Sequence, residues 1–354
     1  MKSQRYIITA AVGLMAANSL VASASAPRLV ADIPPVHSLL SSLTLGVTEP
    51  ALLLPRGGSA HAFALRPSQA ALLSDADLVV WMGPQLMPAL ERAMQTLAAD
   101  VESLELLDLP STARLDVRMD AVFDADHADH ADHADHADHA DHADHADHAD
   151  HADHADHADH ADHADHADHA DHADHDDHDD HAHEGVDPHA WLDPANAQAW
   201  VRAMAAQLIA IDGDHADQYR RNLDATLADL TSLDQQLSSM LAPVKASPFV
   251  VLHDAFQYLE ARYQLANMGA ISASDNQAPS PARLQQLIHA MEDAGVVCVM
   301  TEPQANTGLI NAVTRDGDIK IGELDPAGEL LEPGPELYRQ LMLNASKSLR
   351  ACLG

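Results

Sequence analysis

From Ala125 to His175 the triplet Ala-Asp-His occurs seventeen times without interruption, so an imidazole and a carboxylate recur every three residues. That pairing is a ligand set for divalent cations. The run and its tail supply His127, His130, His133, His136, His139, His142, His145, His148, His151, His154, His157, His160, His163, His166, His169, His172, His175, His178, His181 and His183. A helix built on the triplet has no apolar stripe to bury, so the expectation is a disordered loop, residues 124–184. In a polyproline-like conformation its imidazoles align on one ridge, forming weak, exchangeable cation sites. The opposing reading is a repeat expanded by copying slippage and tolerated because surface loops accept length cheaply.

Six further histidines lie outside the run: His37, His61, His189, His215, His253 and His289. His253 closes the strand-like "PFVVLH", with Asp254 placed to cap the following helix. His61 lies in the loop after "PALLLP", and His189 in "VDPHAWLDP", a loop stiffened by prolines. Asp325 ends the strand-like "IKIGEL" stretch. In open α/β sheets ligands bind outside the carboxyl ends of strands, where these four residues fall. Three imidazoles with a carboxylate or water form a four-coordinate set that suits zinc. Taken singly, each such histidine reads as an ordinary loop residue. His215 and His289 read as structural or solvated, and His37, at a helix start, as a candidate supporting residue. Glu302 in "TEPQ" can line the pocket or bond to backbone.

The elements that must position these residues alternate. Short apolar strands separated by helical stretches with Pro67 and Pro194 near their starts imply parallel pairing. The expected fold is α/β, two parallel-sheet lobes. Between them Tyr219, Leu223, Leu227, Leu230, Leu233 and Leu237 form one stripe at three- and four-residue spacing, a helix over 214–241 about 42 Å long. The expected organisation is a leader, 1–24; a first lobe, 25–123, completed by 185–213 after the insert; the linking helix; and a second lobe, 242–354.

The leader has a basic start, an apolar stretch from Tyr6 to Val21 and the small residues "ASASA", the pattern of a secretory signal. Cleavage is expected after Ala24, since cutting after Ala26 leaves Pro27 first. No cysteine stands there to carry a lipid, so a soluble periplasmic protein is expected, an uncleaved anchor being the alternative. The formal charge is −36, and the 21 aspartates between Ala125 and His181 leave −15 elsewhere. Such acidity excludes nucleic acid and anionic membranes as partners and favours cations. In an oxidising compartment Cys298 and Cys352 read as one disulfide, with free thiols or a metal pair as alternatives. The histidines also admit a zinc hydrolase, but neither an HExxH helix nor a GxSxG elbow accompanies them.

The stretches "LLLPRGGSAHAFALRPSQAALLSDADLVVWMG", "DPHAWLDP", "VLHDAFQYLEARYQL", "TEPQ" and "GELDPAG" together resemble the periplasmic zinc-binding components of ABC importers, the ZnuA-like group of cluster A-I binding proteins. The resemblance implies two α/β lobes joined by one long rigid helix, with zinc held between them by His61, His189, His253 and Asp325. It implies a membrane permease as partner, with other periplasmic zinc chaperones as further ones, a monomeric receptor rather than an enzyme, a His-rich loop where the repeat stands, and a Cys298–Cys352 disulfide. Some relatives carry an acidic residue where Ala60 stands, which leaves the fourth ligand open between Asp325 and water. Manganese-type relatives place a carboxylate at position 253, so His253 argues for zinc. The alternatives are another divalent metal, or a periplasmic zinc buffer in which only the repeat matters.

Overall fold

The computed structural model describes residues 26–123, 185–273, 278–303, 305–314 and 318–354. The leader and the twenty histidines from His127 to His183 lie outside them.

Two four-stranded sheets are built on one plan. In the first lobe β1 (Leu29–Ala31), β2 (Ala51–Leu52), β3 (Leu78–Trp81) and β4 (Glu102–Glu105) pair in the order β2-β1-β3-β4, all parallel. In the second, β5 (Phe249–His253), β6 (Asn267–Ser272), β7 (Cys298–Thr301) and β8 (Lys320–Glu323) pair in the order β6-β5-β7-β8, again all parallel. Parallel neighbours require crossovers. These are α1 (Pro34–Leu43), α2 (Pro67–Ser74) and α3 (Pro88–Leu97) in the first lobe. In the second they are α6 (Gln257–Tyr263), α7 (Pro281–Ala294) and α8 (Thr307–Thr314). The central strands are buried on both faces, which is why "LVVW" and "FVVLH" read as continuous apolar runs.

Between the lobes run α4 (Pro194–Ile211) and the 26-residue α5 (Ala216–Leu241). Asp193 begins α4 by accepting from Ala195 N at 2.8 Å, with proline at the first helical position. Tyr219, Leu230, Leu233 and Leu237 of the α5 stripe are fully buried, and the helix packs on α4, α1 and the C-terminal α9 (Leu337–Leu353). A Cys298–Cys352 disulfide ties α9 to β7 across 54 residues. In the chain-entropy model a loop of that length contributes about 4 kcal/mol.

Each sheet reverses strand order between its two central strands, and each reversal is bridged by a side chain. In the second lobe His253, ending β5, meets Glu302, which follows β7. In the first lobe Asp32, following β1, accepts from Met82 N and from Ile33 N, each at 2.7 Å. Asp32 is completely buried, and that burial pushes its carboxyl up to about 7 against the two backbone donors. A carboxyl that holds its proton more tightly folded than unfolded stabilises the fold at low pH and loses that contribution as pH rises through the folded value. Asp32's contribution to the stability of the metal-free protein is therefore expected to be lost between about pH 4 and pH 7. The difference between wild type and Asp32→Asn in denaturant titrations across this range isolates the residue. Parallel curves would refute the assignment.

Candidate metal centre

His61 sits in the segment between β2 and α2. Gln69 closes the base of that segment, its Nε2 donating to Leu53 O at 2.5 Å while its Oε1 accepts from Arg66 N at 2.7 Å. A turn at Gly57, with φ of 67°, reverses the chain, a conformation that suits glycine. Arg56 reaches the segment after β8, pairing with Glu332 at 2.6 Å and donating to Leu330 O at 2.9 Å.

His189 precedes a single 3-10 turn, Ala190–Leu192. The turn is anchored where Trp191 Nε1 donates to Pro326 O at 2.7 Å and Tyr338 Oη donates to Trp191 O at 2.8 Å. His253 is placed by the β5 ladder itself.

These three imidazoles converge. One ring nitrogen from each lies within 4.8 Å of the others, and they form the sole such ligand group among the described residues. The Nε2 atoms of His61 and His189 stand 3.3 Å apart. His253 completes the triangle, with ring centroids 5.4 Å from His189 and 6.4 Å from His61. His189 and His253 are buried, whereas His61 is half-buried.

Two carboxylates orient the buried pair from behind. His189 Nδ1 lies 2.7 Å from Asp187 Oδ1, which also accepts from His189 N at 2.9 Å. His253 Nδ1 lies 2.5 Å from Glu302 Oε1. A proton on Nδ1 in each case satisfies the carboxylate and leaves the Nε2 lone pair for a cation. Burial pushes the Asp187 carboxyl up to about 7, opposed by the His189 backbone donor and the Arg118 guanidinium. Removing either carboxylate is expected to weaken zinc binding by about 10- to 100-fold. Chelator competition with Asp187→Asn and Glu302→Gln measures this, and wild-type affinity in both would refute the orienting role.

The other candidates lie elsewhere. Asp325 follows β8 and lies outside the three-histidine group; its Oδ1 accepts from Ala327 N at 3.1 Å and Gly328 N at 2.7 Å. His37 is buried against Pro50 O at 3.0 Å, and that burial lowers its pKa. His215 bonds Asp212 Oδ2 at 2.8 Å, and His289 is exposed on α7. Asp254 does not cap α6, which starts after Phe256 without a side-chain cap. Its carboxylate is instead taken by Arg118. Asp187 stands within "VDPHAWLDP", two residues before His189, a spacing at which an Asp side chain bonds the backbone ahead of it. That local signal was available in the sequence; the pairing of His253 with Glu302, 49 residues apart, had none.

A family model described as "ZnuA: Zinc-uptake complex component A periplasmic" matches residues 29–352. The chain is 43% identical over 349 residues to the "High-affinity zinc uptake system protein ZnuA" of Paracoccus denitrificans, covering 98% of this chain and 97% of that one. It is 38% identical over 326 residues to the protein of the same name from Brucella abortus, covering 92% and 91%. Among solved structures, one titled "Crystal structure of ZnuA" superposes with a TM-score of 0.67 at 20% identity, covering 93% of this chain and all of that one. A laminin-binding adhesin from Streptococcus agalactiae shares the fold equally well, at a TM-score of 0.67 and 19% identity.

Proposed function

The chain belongs to the ZnuA family of periplasmic zinc-uptake components, and on that premise we propose that it captures one zinc ion between its lobes and delivers it to the membrane permease of an ABC importer. Zinc is the cargo, and no chemistry is done on it. His61, His189 and His253 are the ligands.

The observation that carries this reading is the 3.3 Å between the Nε2 atoms of His61 and His189. Two nitrogens bound to tetrahedral zinc at about 2.0–2.1 Å stand about 3.3–3.4 Å apart. Three neutral imidazoles suit zinc, whereas manganese favours oxygen donors. The half-buried His61, on a segment between elements, marks the side from which the ion enters and leaves. A fourth position remains for water or a carboxylate, Asp325 being the candidate from the chain's own set.

The Ala-Asp-His run gathers or buffers zinc for this site. Each of its sites is weak, but tethering keeps captured ions at high effective concentration near the receptor. Deleting residues 124–184 and titrating the metal-free protein with zinc, with bound metal counted by equilibrium dialysis at fixed free zinc, tests both parts. The full chain is expected to take up several equivalents, and the deleted chain to keep one tight equivalent. One equivalent in both proteins would make the run idle. Loss of the tight equivalent on deletion would overturn the three-histidine receptor.

A further inference from the structure

His189 and His253 belong to different lobes, and one short segment grips the neighbours of both. On the His189 side, Val117 N donates to Gly185 O at 2.9 Å and Asp187 N donates to Leu115 O at 2.8 Å, with Asp116 facing Val186 in an antiparallel bridge. Two residues past Asp187 stands His189. The hydroxyl of Tyr258, on α6 of the second lobe, locks this ladder by accepting from Leu115 N at 3.0 Å and donating to Asp187 O at 2.8 Å.

On the His253 side, Arg118 forks onto Asp254, the residue after His253, with Nε 2.9 Å from Oδ2 and Nη2 on Oδ1. The same guanidinium reaches Glu260 at 2.8 Å and lies 3.6 Å over the Phe123 ring. The segment then joins the free edge of the second sheet. Val122 bridges Gly269, Phe123 N donates to Met268 O at 2.9 Å, and Ala270 N donates to Ala121 O at 3.2 Å. A Cβ at position 269 would collide with the Ala121 carbonyl, so glycine is required for this approach.

We propose that residues 115–123 are an interlobe strap that sets the spacing between His189 and His253, with Arg118 as its positioning residue. The inference rests on the zinc-receptor reading and names what holds that receptor's ligands in register. The circuit is short: one peptide bond from His253 to Asp254, one two-pronged ion pair, a few strap residues, one hydrogen bond, and two residues to His189. A bidentate guanidinium–carboxylate pair fixes orientation as well as distance, which a lysine cannot reproduce. Arg118 also separates two buried carboxylates, Asp254 and Glu260, so its loss affects folding too. The test must therefore read geometry apart from stability.

Full-length Arg118→Lys and Tyr258→Phe proteins are compared with wild type and with a disulfide-free control, Cys298→Ser/Cys352→Ser, destabilised without touching the strap. Each is titrated with Zn2+ by chelator competition and loaded with Co2+, whose visible absorption reports coordination geometry. Both strap variants are expected to lose zinc affinity by about tenfold or more and to change the Co2+ spectrum. The control is expected to keep both while melting earlier. Wild-type affinity and spectrum in the strap variants would overturn the strap, as would an equal change in the control. Should wild type itself bind no zinc tightly, the receptor reading falls first, a separate and recognisable failure.

Discussion

Replacing His61 or His253 with alanine is expected to lower zinc affinity on the order of 10²- to 10³-fold. Four-ligand zinc sites bind with an apparent 10 to 16 kcal/mol, so each ligand carries roughly 3 kcal/mol. The two variants should match in lost affinity but differ in stability. His61 is half-buried between elements, and its truncation leaves the metal-free fold nearly as stable as before. His253 is buried at the strand end, and its truncation strips Glu302 of its partner, so the metal-free protein melts earlier. Chelator competition and thermal melts of the two proteins measure the pair of effects. Retention of the tight site in either variant removes that histidine from the ligand set.

Acidifying from pH 7.5 to pH 5.5 is expected to weaken the tightest zinc site on the order of a thousandfold. Zinc takes only the neutral imidazole, and protons compete for each of three ligands whose ordinary pKa is near 6.5. Below that value each tenfold rise in proton concentration costs up to tenfold per ligand, so affinity falls as pH falls. Titration with less than one equivalent of zinc keeps the measurement on the tightest site rather than on the histidines of the run. A flat profile would mean that imidazoles do not hold the ion.

Much of the fold was legible because its signals are local. "FVVLH" reads as a buried strand ending on His253, and the leucine stripe of α5 reads as a helix whose observed start, Ala216, lies two residues from the expected one. The convergence of His61, His189 and His253 rested on the family resemblance, because histidines 64 and 128 residues apart carry no mutual pattern. Of the supports behind them, Asp187 carried a local signal and Glu302 stood out only as a candidate pocket residue, whereas Arg118 was not legible. Arg118 meets Asp254 across 136 residues and Glu260 across 142, and nothing in its local stretch announces either partner. Asp254 shows how a local rule fails: placed before a helix it reads as a cap, but the half-buried Arg118 guanidinium takes its carboxylate instead.

The most direct measurement is an anomalous-difference map at the zinc edge from crystals of the full chain loaded with one equivalent of zinc. A single strong peak is expected about 2.0–2.1 Å from one nitrogen each of His61, His189 and His253. A map in which that space is empty, with the zinc bound among the histidines of residues 127–183, would contradict it.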